Sequence, residues 1–105
     1  MARDRKQLQK LLNELMEAVG LEPHVYFQPP GSGMVYPAIV YNRDTSDTEF
    51  ASNLPYKRDI RYQVTVMDRS PDSKLIVPLA ALPQCTHDRW FAADGLNHDV
   101  FTLYF

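Results

Sequence analysis

Hydrophobic residues recur at helical spacing near the start of the chain, with polar residues between them. The hydrophobic positions are Leu8, Leu11, Leu12, Leu15, Met16 and Val19. Intervals of three and four residues place such side chains on one face of a helix. The pattern therefore predicts an amphipathic helix that ends at Gly20, because glycine is favoured where helices terminate.

Three strands are predicted to follow this helix. Residues 25–28 and 37–41 are rich in Val, Ile and Tyr, as strands are, and the prolines and glycines at 29–33 break the chain between them. Residues 59–68 show the clearest alternation between hydrophobic and polar side chains in the chain, which indicates a strand with one face on the core. We expect this segment to be the central strand of the sheet, with one face made of Ile60, Tyr62, Val64 and Val66.

The end of the chain predicts a β-hairpin. Residues 86–93 and 97–105 both have an extended pattern, and Asp94-Gly95 between them is a strong hairpin turn signal. A second helix is predicted over 72–82, because a serine, a proline and an aspartate at 70–72 are typical of a helix start. Pro78 is expected to kink or split that helix.

The order of elements is therefore α-β-β-β-α-β-β. We predict an α+β fold in which about five strands form a mainly antiparallel sheet and two helices pack on one face. The 105 residues suffice for one domain, spanning residues 1–105, with one modest core.

Composition narrows the classes of function. A net charge of −2 lacks the basic footprint of a nucleic-acid reader, although a pore that lets DNA pass needs no positive charge. The one cysteine, Cys85, excludes an internal disulfide and fits a reducing compartment. The charged start leads into an amphipathic pattern, so neither a signal peptide nor a membrane span is expected. We expect the protein to be made and assembled in cytoplasm.

Candidate chemistry is confined to the terminal hairpin. Cys85, Asp94 and the pairs His87-Asp88 and His98-Asp99 could in principle bind a metal ion. However, neighbours in a strand point to opposite faces, and no short metal-binding spacing is present. We favour structural roles, in which Asp94 shapes the turn while Asp88, His98 and Asp99 solvate edges or bond to the backbone. Nothing marks a nucleophile elbow or a phosphate-binding loop. We therefore expect no catalytic residue, no metal and no cofactor.

Aromatic residues make up 11% of the chain, which is more than one small core can hide on one sheet face. Several must lie on the other face or on loops, and surplus exposed Tyr, Trp and Phe are typical of an oligomer interface. The alternative is an unusually aromatic core with a few tyrosines at its rim.

Four stretches of local sequence, taken with the order of elements, form a pattern shared with a known family. They are Val25-Tyr26-Phe27-Gln28 before a Pro-Gly turn, Tyr36-Pro37-Ala38-Ile39-Val40-Tyr41, Tyr62-Gln63-Val64-Thr65-Val66 followed by Ser70-Pro71-Asp72-Ser73, and Asp94-Gly95-Leu96-Asn97-His98-Asp99-Val100-Phe101. With the N-terminal amphipathic helix, they resemble the tail-completion proteins, or tail terminators, of long-tailed bacteriophages. The resemblance covers nearly the whole chain, and the family has no catalytic signature.

The resemblance implies a structural virion protein that is not an enzyme. Such proteins form a ring, expected to be six-fold, on the head-proximal end of the tail tube. The ring ends tube polymerisation and joins the tail to the neck and head-completion proteins. DNA passes through its lumen without specific binding. A ring requires a heterologous interface, which would use the surplus aromatics.

The same resemblance suggests where the contacts lie. The long polar loop at 43–55 would project toward the tube or lumen with its acids exposed. Phe50 is the best anchor in it, because a large apolar side chain in a polar loop is usually buried against something; the alternative is that it folds back on its own domain. The interface candidates are Asp44, Asp47, Glu49, Phe50, Tyr56, Arg58 and Trp90.

Two other functions stay open. The first is a related neck or head-closure connector, which would bind the portal-side complex instead of the tube. The second is a small metal-dependent hydrolase that uses the His and Asp residues of the hairpin.

Overall fold

A computed structural model describes residues 5–28, 33–44 and 60–105. Within these ranges the chain forms two helices and five strands. They are α1 (Arg5–Ala18), β1 (Val25–Phe27), β2 (Ala38–Arg43), β3 (Arg61–Asp68), α2 (Ile76–Ala80), β4 (Cys85–Ala93) and β5 (Leu96–Tyr104). The strands make one sheet in the order β1-β2-β3-β5-β4.

The sheet is mainly antiparallel. Among the described strands the β1–β2 pair is parallel, and the pairs β2–β3, β3–β5 and β5–β4 are antiparallel. The segment with the clearest alternation is β3, which lies in the middle of the sheet. The predicted α+β class, the order of elements and the central strand are therefore confirmed.

Both helices contribute to one core on the same face of the sheet. The alternation of β3 places its hydrophobic positions under α1, as the helical stripe of α1 requires. Fully burying one large aliphatic or aromatic side chain contributes about 1.5–3 kcal/mol, so this cluster is the main source of stability. Its buried members are Leu8, Leu12, Leu15, Met16, Ile39, Tyr41, Tyr62, Val64, Val66, Leu75, Leu79, Phe101, Leu103 and Phe105.

A polar contact fixes α1 against the sheet. The Tyr41 ring is fully buried, and its hydroxyl donates to Gln9 Oε1 at 2.6 Å. Gln9 Nε2 in turn donates to the Val25 carbonyl oxygen at 3.1 Å. A buried tyrosine hydroxyl needs a partner, so this chain of hydrogen bonds sets the position of α1 over β1 and β2.

The opposite face of the sheet is called here the helix-free face, because no helix covers it in residues 5–28, 33–44 and 60–105. Small side chains line its centre: Ala38, Val40 and Val100 are buried, and Val40 lies opposite Thr65, which lies opposite Val100.

The second helix is shorter than predicted. The signal at Ser70 forms a turn instead of a helix start, because its Oγ accepts from the Asp72 N–H at 3.1 Å, and such local hydrogen bonds compete with helix formation. Helix α2 begins at Ile76. Pro78 therefore lies in its first turn, where N–H groups have no partner within the helix, and the helix is neither kinked nor split.

The hairpin of β4 and β5 forms as predicted. Asp94 and Gly95 both have positive φ, 56° and 74°, which is the backbone of a type I′ turn. Strand β4, which is nine residues long, pairs along its length with residues 96–103 of β5.

Candidate functional site

Strand β4 lies at an edge of the sheet and is exposed on both of its faces. Every residue from Thr86 to Ala93 is exposed, and only Cys85 at its start is half-buried. In the described part of the chain, β5 is the one strand that pairs with β4. The backbone N–H and C=O groups on its outer side are therefore available to another strand.

Two aromatic side chains project from β4. Trp90 is 54% exposed and Phe91 is 39% exposed. Trp90 Nε1 donates to Asn97 Oδ1 at 3.2 Å, while the Phe91 ring stacks on His98 with centroids 4.6 Å apart. Each ring is thus held by a residue of β5 and still faces solvent, which is typical of a surface that binds a partner.

A β-bulge interrupts β4 near its middle. His87 lies opposite Phe101 and Arg89 lies opposite Val100, so Asp88 is an extra residue with no partner of its own on β5. A bulge bends and twists the strand locally and re-aims the side chains beside it. Asp88 and Arg89 consequently lie on the same face.

The bulge decides which side chains share a face of β4. Asp88 lies on the helix-free face, where it accepts a hydrogen bond from Thr102. Arg89 lies there too, with its guanidinium 6.0 Å from the Phe91 ring centre. The other side chains of β4 are assigned to a face by their alternation on either side of the bulge. The helix side carries Cys85, His87, Trp90 and Ala92, and the helix-free side carries Thr86, Asp88, Arg89, Phe91 and Ala93.

On the helix side of the hairpin, a histidine faces a buried aspartate. His87 Nε2 is 3.0 Å from Asp99 Oδ1, and Asp99 is 6% exposed. The His87 ring packs edge-on against Phe101 at 5.0 Å. The expectation that Asp99 solvates an edge or bonds to the backbone is wrong, because β5 is an inner strand and its carboxylate is bonded to a side chain. The contact between His87 and Asp99 thus links β4 to β5.

The residues considered as metal ligands do not converge. His87 and Asp99 meet on the helix side, whereas His98 stacks on Phe91 on the other face. Among residues 5–28, 33–44 and 60–105, no group of three His, Cys, Asp or Glu side chains could hold a metal ion. The hairpin therefore supplies no described ligand set for the hydrolase alternative.

Cys85 does not have the properties of a nucleophile. Burial raises the pKa of its thiol to about 11, and the negative charge of Asp88 acts in the same direction. The thiolate is the reactive form of cysteine, so Cys85 is almost wholly the unreactive thiol near neutral pH.

Two of the predicted interface residues lie in the described ranges, and the structure does not bring them together. Trp90 stands on β4, while Asp44 follows β2 and accepts from Arg61 Nη2 at 3.1 Å. Asp44 is half-buried, so the expectation of an exposed acid does not hold for it. Strand β2 continues to Arg43, two residues past its predicted end, and keeps Asp44 beside β3. The remaining candidates, Asp47, Glu49, Phe50, Tyr56 and Arg58, lie outside the described residues.

Sequence reasoning did not single out Arg89 and Phe91. The available signal was the composition of the strand: charged residues stand beside two consecutive aromatics, and no alternate position is consistently hydrophobic. That pattern is typical of a strand with both faces in water, since a half-buried strand shows hydrophobic residues at every second position.

Comparisons of the chain with protein-family models, with curated proteins and with solved structures find no match. The helices that the structure describes include none that is both long and apolar enough to cross a membrane.

Proposed function

We propose that the chain is a structural assembly protein of a bacteriophage tail. In this role it forms a ring, expected to be six-fold, at the head-proximal end of the tail tube, where it ends tube polymerisation and joins the tail to the neck. The role requires no catalysis and no cofactor. The observation that carries the proposal is β4, a strand exposed along nearly its whole length that displays Trp90 and Phe91.

A ring needs two different surfaces on each subunit, because a patch on one copy must meet another patch on the next. β4 can supply one of them. Its aromatic side chains lie outside the core cluster, so they can be buried by a neighbour without disturbing the fold. Tryptophan is also enriched among residues that dominate binding energy.

The charge of the chain is consistent with the proposed lumen. At a net charge of −2, six copies would not bind DNA strongly through its phosphates, so DNA could pass without being retained. The proposed partners are further copies of the chain, the tail tube protein and the neck proteins. The proposed location is the tail and neck region of the virion, with assembly in the host cytoplasm.

The test is the state of association of the purified protein, alone and mixed with its cognate tail tube protein. Light scattering and negative-stain imaging would report rings, or caps that appear at tube ends. Rings or caps support the proposal. A protein that ignores tubes and binds head-side neck proteins would instead be a neck or head-closure connector.

A pair of variants ties the result to β4. Trp90→Ala should reduce tube capping at least tenfold, because removing one central aromatic from an interface commonly costs more than about 1.4 kcal/mol of binding free energy. Val77→Ala is the matched control: Val77 is 77% exposed on α2, so it also removes an exposed apolar side chain. Equal capping by wild type and Trp90→Ala would remove β4 from the proposed interface.

A further inference from the structure

We propose that the free protein forms a two-fold dimer in which the β4 strands of two copies pair antiparallel. Asp88 of each copy then lies opposite Arg89 of the other. The inference goes beyond the proposed function, because it concerns the protein before any ring or tube contact forms. It rests on the backbone, the faces and the charges of β4.

The backbone makes β4 suitable for strand pairing. An exposed edge strand presents unpaired N–H and C=O groups, which a second strand can satisfy. β4 is nine residues long and is held against β5 on both sides of its bulge by the Trp90–Asn97 and His87–Asp99 contacts. The strand is thus already ordered, and pairing would cost little conformational entropy.

The bulge selects the register. A two-fold axis perpendicular to the sheet puts the helix sides of both copies on one side of the joined sheet and both helix-free faces on the other. Residues that lie opposite each other across the two β4 strands must therefore come from the same face. With Asp88 opposite Arg89, this condition holds along residues 85–92. The pairs are Asp88 with Arg89, His87 with Trp90, Thr86 with Phe91 and Cys85 with Ala92, and each occurs twice.

Other two-fold registers satisfy the condition over shorter stretches. When Phe91 of one copy lies opposite Phe91 of the other, opposed residues share a face only over residues 89–93. When Arg89 of one copy lies opposite Arg89 of the other, two like charges meet. Because of the bulge, the residues on either side of Arg89 are then opposed by residues of the other face.

Charge favours the same register. Asp88 and Arg89 both lie on the helix-free face, where the carboxylate is held by Thr102 and the guanidinium lies near Phe91. Antiparallel pairing places each carboxylate opposite the other copy's guanidinium. Opposite charges directly across a strand pair stabilise it, and like charges destabilise it. The order of charges along β4 therefore favours a second copy of the chain as the partner of this strand.

Such a dimer would cover Trp90 with His87 of the second copy. It would then have to dissociate before β4 could contact a tube or a ring neighbour. Self-pairing of this kind would keep the free protein from assembling away from its template.

The experiment uses two charge reversals, Asp88→Arg and Arg89→Asp, measured by sedimentation across a concentration series. Asp88→Arg sets Arg opposite Arg twice, and Arg89→Asp sets Asp opposite Asp twice. We expect a concentration-dependent dimer for wild type and at least a tenfold weaker dimer for each variant alone. An equimolar mixture should form a one-to-one heterodimer, because both cross-strand pairs then join opposite charges. The double variant D88R/R89D should dimerise like wild type.

The charge reversal Glu14→Arg, at an exposed position of α1, is the control and should leave the dimer unchanged. Circular dichroism of each variant establishes that it is folded. A wild type that stays monomeric at millimolar concentration, or folded single variants that fail to rescue each other, would overturn the proposal. Tube capping is measured separately, so a protein that dimerises through β4 but ignores tubes would contradict the proposed function alone.

Discussion

Phe101 and Trp90 lie on neighbouring strands of the same hairpin, and replacing each with alanine should have very different effects on stability. Phe101 is 0% exposed, lies opposite Val64 of the central strand and packs against the His87 ring. Truncating a buried phenylalanine removes its transfer free energy and leaves a cavity, which together cost about 3–5 kcal/mol. A domain of this size is stabilised by roughly 5–15 kcal/mol in all, so Phe101→Ala should lose a large fraction of the total.

Trp90→Ala should cost less than about 1 kcal/mol. Its side chain is 54% exposed and makes one hydrogen bond, to Asn97. Exposed substitutions away from a packed core usually change stability by about 0.5 kcal/mol, and losing a solvent-accessible hydrogen bond adds about as much. The expected gap between the two variants is therefore more than about 2 kcal/mol.

Urea unfolding followed by circular dichroism would measure both. With a denaturant slope of about 1–3 kcal/mol/M, Phe101→Ala should lower the unfolding midpoint by about 1 M or more, and Trp90→Ala should lower it by no more than about a third as much. Equal losses for the two variants would refute the reasoning, because β4 would then belong to the folding core and could not be a surface kept for a partner.

Three further outcomes are expected. A double-mutant cycle between Tyr41→Phe and Gln9→Leu should give a coupling free energy of about 1 kcal/mol, because the two side chains share a hydrogen bond; no coupling would contradict it. Since burial raises the pKa of Cys85 to about 11, alkylation of the folded protein by iodoacetamide should be slow at pH 8 and accelerate about tenfold per pH unit toward pH 11. In urea the thiol should react with an ordinary pKa of about 8.5, and equal rates in both states would contradict the prediction. The folded pKa is the higher one, so the contribution of Cys85 to stability is complete below about pH 8.5 and is lost as the pH rises toward about 11. Gly95→Ala should destabilise the protein by about 1–2 kcal/mol, because Gly95 has a φ of 74°, whereas Gly95→Asn should cost less.

The elements with a strong period were predictable from sequence. The helical stripe of α1, the alternation of β3 and the Asp94-Gly95 turn each reflect a local rule that the rest of the fold also satisfies. The fold class follows from their order. Strand β4 was predictable as an extended segment because a type I′ turn joins it to β5.

Features that depend on contacts across the sheet were not predictable. The bulge at Asp88 is defined by the register between β4 and β5. One sequence alone does not show which residues of two strands lie opposite each other. The burial of Asp99 follows from β5 being an inner strand. The late start of α2 reflects competition between a capping signal and a turn at Ser70, which local sequence leaves undecided.

The two edges of the sheet are unequal, and this limits how copies can associate. The opposite edge strand, β1, is three residues long, and α1 already occupies its Val25 carbonyl through Gln9. Of the edges that the structure describes, β4 alone is long enough to add a strand. Unlimited growth by strand pairing would require an edge strand able to pair with another copy at both edges of the sheet. If copies pair through β4, strand pairing is expected to stop at two, and a larger closed assembly is expected to use side-chain surfaces. A subunit proposed to end a polymer would then not polymerise edge to edge.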